Sequence, residues 1–148
     1  MNRTTLLINE FLQTKDIVIA GVSRNPKKFG NSVFELFRHK GFNVFPINPE
    51  AEEINGITCY KSINDIPSNG KNLLIVTPQI ATEGIMKDAI KKGYERIWIQ
   101  QKSETPNVIK MAKDNNIKLI KDRCVFMFLE PEGGHAFHRF IFKLFGKI

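Results

Sequence analysis

Cysteine is scarce in this chain: its 148 residues hold two, Cys59 and Cys124, far apart and in no C-x-x-C pair. That excludes a disulfide framework and points to a reducing, cytoplasmic setting. No run of about 18 apolar residues occurs, so no membrane span is expected. Acids are few, 15 against 22 lysines and arginines, for a net charge of +7. An anionic partner follows, but nucleic acid, nucleotide and acidic lipid all qualify. The bases are scattered, and no zinc-finger, RNP-type or helix-turn-helix signature accompanies them, which disfavours sequence-specific nucleic-acid binding. Linkers and low-complexity tracts are missing too. With 42% hydrophobic residues, the chain reads as one domain, residues 1–148, long enough to bury a core.

What is present is an alternation. Met1 to Lys15 is no secretory signal, because Leu7, Ile8, Phe11 and Leu12 share one helical stripe interrupted by Asn9 and Glu10. Ile17 to Ala20, Phe42 to Pro49, Asn72 to Pro78, Arg96 to Gln100 and Lys118 to Asp122 read as strands. Helices are expected from about Asn31, as N-cap, with Val33, Phe34 and Phe37 inward, and over Ile80 to Lys92 with a stripe from Ile80 to Ile90. A third opens at Thr105–Pro106. This order predicts an α/β fold: a Rossmann-like, doubly wound, mainly parallel sheet of about five strands with helices on both faces. Ligands of such sheets sit beyond the carboxyl ends of the strands. The positions to watch are therefore Gly21 to Gly30, Asn48–Pro49, Thr77–Pro78 and Gln100 onward.

The first of these, GVSRNPKKFG, has the form of an anion site, with a glycine turn between a buried strand and a helix N-terminus. NAD is the obvious guest, yet the dinucleotide fingerprint G-x-G-x-x-G is missing. Gly21 is followed by Val22 and Ser23, and the next glycine is Gly30. The second strand ends at Asn48–Pro49 with no carboxylate before Glu50. An NAD(H)-binding redox or regulatory module therefore stays only an alternative. Ser23 with Arg24, Lys27 and Lys28 suits more phosphate than one pyrophosphate carries, as in coenzyme A with its additional 3′-phosphate.

GVSRNPKKFG, PINP (Pro46 to Pro49), YKSINDIP (Tyr60 to Pro67), IWIQ (Ile97 to Gln100) and DRC (Asp122 to Cys124) occur in an order that resembles the small stand-alone CoA-binding proteins. These in turn are similar to the CoA-binding domain of the succinyl-CoA synthetase α subunit. The resemblance spans about Asp16 to Cys124. It implies coenzyme A or an acyl-CoA as the small-molecule nucleotide ligand. It also implicates Gly21, Ser23, Arg24, Lys28, Gly30, Asn48, Pro49, Thr77 and Pro78 in binding, with the thiol arm running toward Gln100–Lys102. One departure is Lys102, which stands where the family has glycine two residues after W-x-Q.

No Ser-His-Asp order, carboxylate pair or metal cluster emerges, so a non-catalytic binding or regulatory module is expected, with no catalytic or metal residues. Trp98 is expected in the core or a subunit contact. Cys124 beside Arg123 has the sequence context of a thiolate, but most lone cysteines are buried and inert. The tail holds six of the twelve phenylalanines, and a helix over about 135–146 carries Phe137, Phe140, Ile141 and Leu144 on one arc. It must bury against its own sheet, a second copy in a homodimer, or a membrane surface. His135 and His138 are too few donors to hold a metal.

Overall fold

The computed structural model describes residues 2–67 and 72–129; the aromatic tail beyond Leu129, with its expected helix and dimer contact, and the histidines at 135 and 138 lie outside the described residues. The fold begins with helix α1 (Arg3–Gln13), capped by the Asn2 side chain, which accepts from Thr5 N at 2.8 Å. Strand β1 (Asp16–Ala20) follows, then α2 (Phe29–His39) and β2 (Asn43–Ile47). A two-stranded antiparallel arm, β3 (Glu53–Ile54) and β4 (Ile57–Thr58), precedes a 3₁₀ turn at Ile63–Asp65. Then come β5 (Asn72–Ile75), α3 (Gln79–Lys91), β6 (Arg96–Gln100), α4 (Pro106–Asp114), β7 (Lys118–Arg123) and a single turn, α5 (Phe126–Leu129).

Five strands form one sheet in the order β2-β1-β5-β6-β7, every pairing parallel. This is the doubly wound α/β arrangement the alternation predicts. β1 lies inside it, and its side chains divide by the period of two. Ile17 and Ile19 join the layer built with Phe11, Val33, Phe34, Phe37 and Trp98 under α1 and α2. Val18 and Ala20 join the opposite layer, with Met86, Ala89, Val108 and Ala112 from α3 and α4. Such a strand has no polar face to spare, which is why IVIA reads as an unbroken apolar run.

Trp98 is fully buried, packed edge-on against Phe11 at 5.5 Å and Phe128 at 5.9 Å, while its indole N–H donates to Arg123 O at 3.1 Å. Pro46 sits within β2 rather than ending it, as befits an edge strand. Two helix details differ from the sequence reading. Lys28, not Asn31, is the N-cap of α2, and Asn31 turns its amide back to Ser23 O at 2.8 Å. Ile80 leaves the α3 stripe altogether at 94% exposed, because the helix presents Met86 and Ala89 to the sheet.

After β2 the chain passes from one flank of β1 to the other, so the loops leaving the carboxyl ends of β1 and β5 lead to helices on opposite faces of the sheet. A crevice opens there.

Candidate functional site

Gly21 ends β1 with φ +101°, and a Cβ on it would stand 2.8 Å from the Val76 carbonyl carbon and 2.9 Å from Thr77 N. Only glycine meets both demands. Gly30, in the first turn of α2, would drive a Cβ into the carbonyl oxygen of Gly21. The two glycines thus let the helix start directly against the strand turn. Gly30 acts through this packing.

Short polar side chains stiffen the loop between them. Ser23 Oγ accepts from Asn25 N at 3.1 Å, and Asn25 Oδ1 accepts from Lys27 N at 2.9 Å. Lys28 adds no side-chain cap to α2. Asn48, just past β2, donates from Nδ2 to Val22 O at 2.8 Å and accepts at Oδ1 from Glu50 N at 2.8 Å. Its amide clamps the first and second loops together. Past β5, the hydroxyls of Thr77 and Thr82 share a buried 2.9 Å hydrogen bond. Thr77 therefore borders the site through its backbone position, with its hydroxyl turned inward.

Between these loops lies a cleft of about 1020 Å³. Gly21, Ser23, Asn48, Pro49, Thr77 and Pro78 all line it, so six of the ten expected positions converge on one wall system. Arg24 and Lys28 are exposed outside that wall, as is Lys27. Gln100 stands apart: it is buried, its Oε1 accepts from Val125 N at 3.2 Å, and it joins the end of β6 to the segment after β7. Lys102 does not line the cleft either. It holds φ +75°, which explains why a glycine suits that position and costs a lysine about 1 kcal/mol.

The remaining wall was not singled out in the sequence. Lys61 and Ser62 come from the segment after β4, and Gly84, Lys87, Asp88 and Lys91 from α3. Cations outnumber acids there, with Lys61, Lys87 and Lys91 against Glu50 and Asp88. Lys87 leans on Glu83 at 3.5 Å, whereas Lys61 and Lys91 enter no ion pair among the described residues. The sequence signals for this wall are the YKSINDIP motif, which holds Lys61 and Ser62, and a glycine inside a helical run. Among the described residues, no histidine or cysteine lines the cleft. Cys59 is buried, and burial pushes its thiol up from the ordinary range, which disfavours the nucleophilic thiolate. Cys124 is buried too, and Arg123 donates to Asp122 O at 2.9 Å.

Residues 15–130 match the family model described as a CoA binding domain. Among curated proteins, the α subunit of the ADP-forming acetate–CoA ligase II of Pyrococcus furiosus is 27% identical over 130 residues, covering 80% of this chain and 28% of that subunit. The ADP-forming acetate–CoA ligase of Methanocaldococcus jannaschii is 31% identical over 119 residues, covering 75% of this chain and 17% of the ligase. This chain thus corresponds to less than a third of either relative. A solved structure of a hypothetical protein from Pyrococcus horikoshii superimposes with a TM-score of 0.79 at 26% identity, covering 88% of this chain and 92% of that one.

Proposed function

The chain belongs to the CoA-binding domain family, and from that premise we propose that it holds coenzyme A, or an acyl-CoA, in the cleft beyond β1 and β5, as a binding or regulatory module that performs no chemistry itself. The observation that carries this reading is the convergence of Gly21, Ser23, Asn48 and Thr77 on one cleft of about 1020 Å³. That volume is at the upper end for small-molecule sites and suits a long ligand. The glycine turn and the Ser23 loop receive the pyrophosphate, with Arg24 and Lys28 closing over it from the rim. Lys61 and Lys91 supply charge on the facing side for a further phosphate. Asn48 holds the two loops at the spacing the adenosine requires. Two buried, unbridged thiols suit a cytoplasmic protein.

Calorimetric titration tests this directly. Coenzyme A should bind more tightly than 3′-dephospho-CoA, ATP or NAD, and Ser23→Ala should weaken it by roughly 3- to 10-fold. Equal affinity for coenzyme A and ATP would reduce the cleft to a general nucleotide site. Preference for NAD would favour the dinucleotide alternative, in which Glu50 on the wall takes the ribose.

A further inference from the structure

Six glycines fall among the residues whose surroundings are defined, and five have a reason within the protein. Gly21, Gly41, Gly56 and Gly93 carry positive φ. Gly30 is the packing glycine against the Gly21 carbonyl. Gly84 has neither reason. It lies in the interior of α3, its φ is not left-handed, and a Cβ built on it meets nothing within 4 Å. Glycine in a helix interior costs about 1 kcal/mol relative to alanine. Nothing among the described residues returns that cost.

Gly84 does, however, line the cleft. We infer that Gly84 is a ligand-contact position, where the missing side chain lets bound coenzyme A lie directly on the backbone of α3. The inference rests on the reading of the cleft as the coenzyme A site. It adds a specificity-determining residue on the wall facing the glycine turn, one that excludes ligands by space rather than by charge.

Gly84→Ala separates the two roles because its effects on folding and binding have opposite signs. In the ligand-free protein Tm should rise by about 2–4 °C, since alanine favours the helix and meets no neighbour. Affinity for coenzyme A, measured by calorimetry, should fall about tenfold, and Gly84→Leu should lower it further. Tight, equal binding by the unsubstituted chain and both variants would overturn this inference alone. An unsubstituted chain that fails to bind coenzyme A would overturn the reading of the cleft, and this inference with it.

Discussion

The two ends of the sheet treat polar groups in opposite ways. At the amino-terminal end, side chains satisfy one another. Asn72 is fully buried, donates from Nδ2 to Phe11 O at 2.7 Å, and accepts from Arg96 Nε at 2.9 Å. Glu10 receives Arg96 at 3.1 Å and Lys118 at 3.0 Å, tying α1 to β6 and β7. At the carboxyl end, Lys61 borders the cleft without an ion pair among the described residues, and a helix opens with no side-chain cap. Closed accounts at one end hold the fold; open valences at the other leave room for a guest. Stability and binding should therefore be separable by substitution.

The largest effect expected is at a residue that serves both stability and binding. Gly30→Ala forces a Cβ against the Gly21 carbonyl, so α2 must retreat from the strand turn. A loss of about 3 kcal/mol in urea unfolding is expected, with coenzyme A binding lost as well. Unaltered stability would mean that the loop adapts freely, and the rigid cradle would be wrong.

Asn72→Ala comes next and should affect folding alone. It strands the Phe11 carbonyl and one face of the Arg96 guanidinium, for a cost of about 2 kcal/mol. Affinity for coenzyme A, titrated well below the variant's Tm, should be unchanged. A drop in affinity comparable to that of Ser23→Ala would abolish the separation between the two ends.

The smallest effect belongs to Glu10. The Lys118 hydrogen bond, reinforced by the charges of Lys118 and Arg96, holds its carboxyl below the usual carboxylate range against the opposing effect of desolvation. A carboxyl lowered by folding contributes stability that is present above its unfolded value and lost as pH falls through the folded one. Glu10→Gln should therefore flatten the decline in urea midpoint between about pH 6 and about pH 3. An identical decline in both proteins would show that this exposed network contributes nothing measurable.

Much of this architecture could be read along the chain. β1 is an apolar run because both its faces are covered, and Thr105–Pro106 caps α4 as its residue types demand, with Thr105 Oγ1 accepting from Val108 N at 3.2 Å. The glycine turn and the loop after β2 were legible for the same reason, since turn chemistry is local. The Asn31 cap was not. Its amide is drawn to Ser23 O, eight residues back, a contact that exists only once α2 has packed against β1. Ile80 was misplaced because periodicity marks an apolar stripe but not which turn of it reaches the sheet.

The order of residue types along this chain was by itself enough to determine five strands, the helices between them and a basic glycine loop, because each depends on periodicity and on neighbours a few positions away. Only the folded arrangement decided that Lys61 and Gly84 face the same cavity as Ser23 and that Gln100 does not. Strand order and helix rotation, which no local pattern encodes, bring together positions as far apart along the chain as Gly21 and Lys91. The physical cause is the crossing from one side of β1 to the other, which opens the crevice and selects its walls.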